Sequence, residues 1–422
     1  MKKIIASVGI AAVGVATLQA AHVGLSPTQT SKPWSISASL RGFYDDNITT
    51  SPNALAQQES YGIEVKPSLS YNIVREQVHF GVGYTYGLRW YEDRDPDSDD
   101  NSHTVAVNLT QDVSPSLSIE LGNTFRITQE PRVETGTGTP LRGLQDYLDN
   151  EAHIYATAAI SPIHSVYWGY SNRLLKYDDP GFANLLDRME HSPLIHFRAQ
   201  LNPNTIGLIG YRFKAVNYTE DRPLRYNFVI EPSDLTPEVR DSDSHYIYTG
   251  LDHAFTPSLQ GSVRFGVQLA EFPNAENIRT IPEDSAINPY ADANLTYGYA
   301  EGSNIQVGVR HERQRNDLAL VVSPEDPILD QEQTAVYASI NHQVTSKIEA
   351  SLVGHYLNGA FEGGGTVDGL RDEYWAFGVN ASYMIDQFFS TEVGYNFDRL
   401  DSDIGQRSYD RNRVYIGFRA SY

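Results

Sequence analysis

The sequence predicts an all-β fold in which antiparallel strands, joined up and down in chain order, close into a transmembrane barrel. Three observations predict it. Apolar and polar residues alternate along many segments, short and long connections alternate between those segments, and the chain ends on an alternating segment with a terminal aromatic residue. The strand count comes to about 18, with about 16 as the alternative, because barrels of this kind have even strand numbers.

The period-two alternation is clearest in residues 78–90, where Val78, Phe80 and Val82 are interleaved with His79 and Gly81. Successive side chains of a strand point to opposite faces, so each such segment has one apolar face and one small or polar face. A soluble β-sandwich would show the same pattern, so alternation alone does not decide between the two folds.

The connections between these segments are more discriminating. Short turn signals lie at 73–77, 113–116, 161–165, 202–204, 256–258, 301–303, 345–347 and 385–387. Long polar segments rich in Pro, Gly and Asp lie between them, at 45–58, 92–101, 129–148, 178–189, 220–243, 273–287, 316–331, 360–372 and 401–409. Short periplasmic turns and long extracellular loops are typical of outer-membrane barrels. A β-propeller would instead need four short strands and a blade motif in each repeat.

Aromatic residues lie near the ends of the predicted strands, where amphipathic rings favour the interface between membrane and water. The predicted girdle comprises Trp34, Tyr44, Trp90, Tyr91, Phe272, Trp375 and Phe388. The apolar face of the sheet is therefore expected to meet lipid.

Charged residues occur in mid-strand on the opposite face. A sandwich core would not accept them, because burying unpaired charge is costly, whereas a water-filled lumen would. The predicted lumen-lining cations are Arg41, Lys66, Arg89, Arg126, Arg173, Arg198, Arg212, Lys214, Arg264, Arg310 and Arg419. Four glutamates share this face: Glu64, Glu120, Glu349 and Glu392.

The long loops carry most of the excess negative charge. Residues 316–332 (NDLALVVSPEDPILDQE) contain five acidic residues and no basic one. A cationic lumen below acidic loops would favour anionic or polyhydroxylated solutes, since arginine forks bind carboxylates and hydroxyl groups.

The final segment, NRVYIGFRASY at 412–422, alternates to the last residue. Val414, Ile416, Phe418 and Tyr422 share one face, and this segment resembles the C-terminal insertion signal read by the outer-membrane barrel assembly machinery. With the opening SLRGFYDDNI at 39–48, the chain resembles Gram-negative outer-membrane β-barrels, and more loosely the β-barrel porin group associated with exopolysaccharide gene clusters. The resemblance implies a bacterial outer-membrane location beside lipid and lipopolysaccharide, with no cofactor and no catalytic residues.

The first 20 residues have the layout of a secretory signal peptide. Lys2 and Lys3 precede an apolar run that ends before a small residue, Ala20. The run is too short for a comfortable membrane span, which argues against an N-terminal anchor. The expected organisation is a signal peptide at 1–20, a short periplasmic lead at 21–33 and a single barrel at 34–422.

Composition and motifs exclude several functional classes. The net charge of −21 argues against nucleic acid as a partner, and the absence of cysteine excludes zinc–thiolate sites and cysteine nucleophiles. The 12 histidines occur singly, without a GxSxG or HExxH motif, so no enzymatic activity is expected.

The acidic stretch EDRDPDSDD at 92–100 suggests a calcium loop at first sight. An EF-hand loop that began at Asp93 would need Gly and Glu where Ser98 and Thr104 stand. We therefore expect no dedicated metal site, and at most a weak, diffuse divalent contact whose ligands would be Asp93, Asp95, Asp97 and Asp99.

These observations predict a channel for the passive passage of small polar or anionic solutes, or for the export of a secreted polysaccharide. The alternative is a non-conducting surface barrel that acts as an adhesin, a scaffold or an assembly partner of an envelope polysaccharide system.

Overall fold

The computed structural model describes residues 33–94, 98–129, 132–133, 140–141, 146–224, 235–275, 284–316, 327–363 and 368–422. The expected signal peptide and all of the expected lead except Pro33 lie outside these residues. No helix in the described ranges is long and apolar enough to cross a membrane.

The described residues form one 18-stranded sheet, which confirms the predicted fold class and the leading strand count. The strands are β1 (Trp34–Asp45), β2 (Ser60–Val74), β3 (Val78–Tyr91), β4 (Asp99–Ser114), β5 (Leu117–Thr128), β6 (Tyr147–Ala159), β7 (His164–Tyr177), β8 (Arg188–Asn202), β9 (Thr205–Tyr218), β10 (Ser242–Thr256), β11 (Leu259–Glu271), β12 (Ser285–Ala300), β13 (Ser303–Gln314), β14 (Asp330–Thr345), β15 (Ile348–Glu362), β16 (Arg371–Met384), β17 (Phe389–Ser402) and β18 (Tyr409–Ser421). The loops add helix α1 (Pro180–Leu186), a 3-10 helix (Pro237–Arg240) and a short ladder between Arg132–Val133 and Pro140–Leu141.

Each strand pairs antiparallel with the next one, and the last strand pairs with the first. The closing register between β1 and β18 runs from Ser37 opposite Ser421 to Asp45 opposite Arg413. Closure removes the two sheet edges, whose unpaired backbone groups hydrocarbon would not tolerate.

The connections confirm the predicted alternation. Eight short turns lie at one end of the barrel, the turn end, and each coincides with a predicted turn signal. Nine longer loops lie at the opposite end, the loop end: 46–59, 92–98, 129–146, 178–187, 219–241, 272–284, 315–329, 363–370 and 403–408.

The outer face is apolar along the length of the strands. In β1 the exposed positions Ile36 and Leu40 alternate with the buried Ser35 and Ser39. On β18, Ile416 is 68% exposed and points the same way as Val414 and Phe418. Such a surface is stable only against an apolar solvent, as the outer band of a membrane barrel requires.

Five of the seven predicted girdle residues lie on or near the outer surface: Trp34, Tyr44, Trp90, Trp375 and Phe388. The prediction is wrong for Tyr91 and Phe272. Tyr91 follows Trp90 directly, so it points inward, where it is 2% exposed and its ring contacts Phe43. Phe272 lies just beyond β11 and is 2% exposed within an apolar cluster of loop residues.

The terminal residue helps to close the barrel at the turn end. The Tyr422 backbone donates to Ile36 O at 2.8 Å and accepts from Ile36 N at 3.0 Å. Its ring centroid lies 5.7 Å from that of Trp34 and 5.9 Å from that of Phe388. Tyr422 thus joins the last strand to the first one.

A buried ion pair lies at the loop end of the same seam. Arg411 Nε on β18 donates to both carboxylate oxygens of Asp45 on β1, each at 3.0 Å, and both side chains are almost completely buried. The pair joins the first strand to the last one.

Replacing Arg411 by methionine leaves the Asp45 carboxylate buried without this partner, and we expect the barrel to lose about 3–5 kcal/mol of stability. Heat-modifiable migration on gels measures the effect, because the variant should unfold at a lower temperature than the wild type. Arg399→Met is the matched control. Arg399 is half-exposed and its contacts with Asp401 and Asp410 are long, at 3.5 and 3.7 Å. Equal unfolding temperatures for Arg411→Met and the wild type would contradict the role of this pair.

Candidate pore wall and its loop cover

The strand register places all eleven predicted lumen-lining cations on the inner face of the barrel. Ten of them form ion pairs with carboxylates, several of which the sequence pattern does not predict. Arg419 lies across from Ser39 and Ser390 near the turn end and is partly exposed.

One group of pairs lies beside the closing seam. Glu64 accepts from Arg41 at 3.1 Å, from Lys66 at 2.8 Å and from Arg89 at 2.6 Å. Arg41 also donates to Glu392 at 2.5 Å. A single nearly buried carboxylate is therefore shared by cations from three adjacent strands.

A second group lies on β5 to β9. Asp149 pairs with Arg173 at 2.8 Å and more loosely with Arg126 at 3.6 Å. Glu190 is next along the wall and lies 3.7 Å from Lys214 and 4.0 Å from Arg173.

Glu190 has two further partners that the alternation did not predict. Arg188, on its own strand, donates at 3.0 Å, and Arg315, from loop 315–329, lies 2.7 Å away. A loop residue is thereby held against the inner wall.

A third group lies on β8 to β13. Asp252 is shared by Arg198 at 3.3 Å and Arg264 at 2.5 Å. Closer to the loop end, Glu312 pairs with Arg212 at 2.8 Å.

Arg310 completes this group, with Asp292 at 2.6 Å and Glu312 at 3.8 Å. The inner wall is therefore lined by alternating opposite charges and not by cations alone.

The expectation of a cationic lumen is therefore wrong, because the inner wall carries paired charges of both signs. The prediction counted four glutamates and omitted the inward-facing aspartates, among them Asp45, Asp100, Asp149, Asp252, Asp292, Asp372 and Asp398. Extending the same alternation to aspartate would have found them. Pairing also has a physical reason, because isolated charges at such low exposure would be costly.

Four loops pack together inside the loop-end mouth, and we call this assembly the loop cover. Its apolar core comprises Leu224, Val239, Phe272, Ala275 and Leu329, with Leu185 and Leu235 packed against it and Ala270 of β11 below it. These residues come from loops 178–187, 219–241, 272–284 and 315–329. The loop cover is thus a small apolar core of its own, seated on the inner wall.

Arg240 connects three of these loops. Its guanidinium donates to Leu185 O at 2.7 Å and to Asn316 O at 3.0 Å, and it lies 4.5 Å from the ring centroid of Tyr218. Only 1% of Arg240 is exposed. No sequence pattern indicated this residue, because its role depends on contacts between distant loops.

Two aspartates support the loop cover at equivalent positions. Asp187 follows α1 and accepts from Tyr177 N at 2.7 Å, and Asp241 follows the 3-10 helix and accepts from Tyr218 N at 2.7 Å. Burial raises the pKa of each carboxyl to about 6. Because the folded barrel binds these two protons more tightly than the unfolded chain does, protonation of Asp187 and Asp241 stabilises the fold. This stabilisation is complete below the ordinary pKa of 3.8 and is lost as the pH rises through about 6.

The acidic stretch at 92–100 is only partly described, since Asp95 and Asp97 lie outside the described residues. Asp93 contacts β2 and its neighbouring loop through backbone hydrogen bonds with Ser60 Oγ and Gln58 Nε2, and Asp99 accepts from Asn101 at 3.1 Å. Among the residues that the structure describes, no group of His, Asp and Glu is arranged to hold a metal ion.

Comparison with protein families gives a match over the C-terminal part of the chain. Residues 227–422 match the family model described as "Putative beta-barrel porin 2". A search of curated proteins found no match.

Among solved structures, the outer membrane protein OpdK from Pseudomonas aeruginosa is 9% identical, with 92% of this chain and 99% of that chain covered and a TM-score of 0.45. A BenF-like porin from Pseudomonas fluorescens Pf-5 is 12% identical, with 93% and 99% covered and a TM-score of 0.46. OccK2 (OpdF) from Pseudomonas aeruginosa, solved with glucuronate, is 12% identical, with 92% and 98% covered and a TM-score of 0.46.

The expected location and the expected resemblance are confirmed. The chain is an 18-stranded, porin-like β-barrel of the bacterial outer membrane, and it resembles the putative β-barrel porins, whose family model its C-terminal part matches.

Proposed function

We propose that this barrel is a passive channel for small polar solutes, with an outer mouth that the loop cover narrows. The observation that carries the proposal is the charged inner wall, because ionic side chains along a whole face of the sheet are stable only beside water or beside one another. Barrels of about 18 strands are wide enough for an aqueous lumen.

The paired wall favours polar solutes over strongly anionic ones. Each guanidinium that holds a carboxylate has fewer free donors for an anion, but the pair still offers both donors and acceptors. Hydroxyl-rich solutes can use both. Export of a secreted polysaccharide is a further proposal for the same lumen, and it would require the loop cover to move aside.

A non-conducting surface barrel is the second candidate. The loop cover favours it, because an apolar core within the mouth could close the lumen and leave the long acidic loops to act as an adhesin, a scaffold or an assembly partner of an envelope polysaccharide system. Steady single-channel openings would support the first function, and electrical silence would support the second.

We further propose that the outer face contacts lipid and lipopolysaccharide, and that the final strand is recognised by the barrel assembly machinery. Support comes from the exposed apolar residues of β18, which form a continuous outward face that ends at Tyr422.

Replacing Arg240 by alanine removes the donor that joins three loops, and we expect the loop cover to loosen. Single-channel recording in planar bilayers should then show a larger mean conductance than the wild type shows. Arg222→Ala is the matched control, because Arg222 lies in the same loop and is exposed. Conductance that is equal in Arg240→Ala and the wild type would contradict a narrowing role for the loop cover.

Replacing Asp252 by asparagine removes the carboxylate shared by Arg198 and Arg264. Two guanidinium groups on the inner wall then lose their charge partner, so the channel should become more selective for anions. The reversal potential in a salt gradient measures this shift. Asp401→Asn serves as the control, because Asp401 is an exposed residue at the loop end of β17. If Asp252→Asn leaves the reversal potential unchanged, ions do not pass this part of the wall.

A further inference from the structure

A continuous row of aromatic rings crosses one side of the inner wall. This row, the aromatic track, comprises His153, Tyr155, Tyr167, His196, Tyr248 and Tyr290. Successive ring centroids lie 4.9, 5.5, 5.3, 5.5 and 5.2 Å apart. These are the separations of rings in direct contact. The register of β6, β7, β8, β10 and β12 places all six residues on the inner face.

From Tyr167 to Tyr290 the track rises from the turn end toward the loop end, whereas His153 and Tyr155 lie six and four residues before the last residue of β6, at about the height of His196 and Tyr167. Tyr167 lies three residues from the first residue of β7, His196 lies six residues before the last residue of β8, and Tyr290 lies ten residues before the last residue of β12. With about 3.3 Å per residue and a strand tilt of about 40°, this is a rise of roughly 18 Å. The part of the track from Tyr167 to Tyr290 therefore follows the barrel axis, and the part from His153 to Tyr167 runs around the inner wall near the turn end.

Glycines on the neighbouring strands allow these rings to lie flat. Gly122 is opposite His153, and Gly169 is opposite Tyr155. A Cβ atom on either glycine would lie 2.2 Å from an atom of the facing ring. Gly210 lies opposite both His196 and Tyr248, and a Cβ atom on it would likewise lie too close to atoms of both rings. The rings of His153, Tyr155, His196 and Tyr248 thus lie over bare backbone on the inner wall.

The two ends of the track differ in exposure. His153, Tyr155, Tyr167 and His196, toward the turn end, remain partly exposed, whereas Tyr248 and Tyr290 are buried. The guanidinium of Arg212 lies 5.4 Å from the ring centroid of Tyr290. Solute contact is therefore possible at the turn end of the track.

Polar groups accompany the exposed rings. His196 is on the same strand as Arg198, which shares Asp252 with Arg264. Glu120 lies 3.7 Å from His153 and is more than half exposed. Flat ring faces are therefore bordered by both hydrogen-bond donors and acceptors.

We propose that His153, Tyr155, Tyr167 and His196 bind the pyranose rings of a carbohydrate as it passes through the lumen. The C–H face of a pyranose is apolar and carries partial positive charge, so it packs on the negative face of an aromatic ring. Its hydroxyl groups can bond to the charged groups beside the track. Carbohydrate is then the substrate class of the channel, and its passage through the lumen rests on the proposed channel function.

The test is the interruption of single-channel current by a neutral linear glucose hexasaccharide. Wild-type channels should show blocking events that polyethylene glycol of the same mass does not reproduce. The double variant Tyr155→Ala/Tyr167→Ala should weaken the block by about tenfold, since two ring contacts are lost.

Tyr415→Ala is the matched control. Tyr415 is also an inward tyrosine seated opposite a glycine, Gly394, but it lies on β18, away from the track. Its loss should leave the hexasaccharide block unchanged. A wild-type current that the hexasaccharide does not interrupt, or an equal effect of both sets of variants, would overturn the proposal.

A second readout separates this proposal from the channel function. Titration calorimetry of the detergent-solubilised barrel with the same hexasaccharide measures binding without any current. Binding that the double variant weakens and Tyr415→Ala does not would support the carbohydrate site even if the bilayers stay silent. Open channels without block or binding would overturn the carbohydrate site alone.

Discussion

Closure of the sheet between β1 and β18 is the constraint on which the rest of the structure depends. Once the first and last strands pair from Ser37–Ser421 to Asp45–Arg413, every strand has two neighbours, and the alternating side chains are divided between an outer and an inner face. The apolar side chains then meet the membrane, and the ionic side chains meet the lumen. Both Tyr422 at the turn end and the Asp45–Arg411 pair at the loop end stabilise this seam.

The inner wall follows from the same division. Polar and charged residues that must point inward lie at low exposure, so they are stable as pairs such as Arg212–Glu312 and not as isolated cations. Pairing gives a wall of fixed dipoles with both donors and acceptors. The aromatic track interrupts this ionic lining along one side, and glycines opposite His153 and Tyr155 leave room for their rings. Solutes would therefore meet two kinds of surface in one lumen.

Much of the fold could be predicted because it depends on residues adjacent in the chain. Alternation in 78–90 and the short turn signals required no knowledge of strand pairing. The girdle prediction is wrong for Tyr91 because alternation turns it inward beside Trp90, and for Phe272 because it packs in a loop cluster beyond the end of β11. The sharing of Asp252 by Arg198 and Arg264 and the seating of Tyr155 over Gly169 depend on register between strands. Arg240 depends on contacts among loops, which no local pattern records.

We propose an aqueous lumen that the loop cover narrows at the loop end. The most direct measurement is single-channel conductance of the wild-type barrel with polyethylene glycol added to one side of the bilayer at a time. Polymers small enough to enter the lumen should lower the conductance when added at the turn end, and should do so less when added at the loop end. Equal effects from both sides, or no channels at all, would contradict this account.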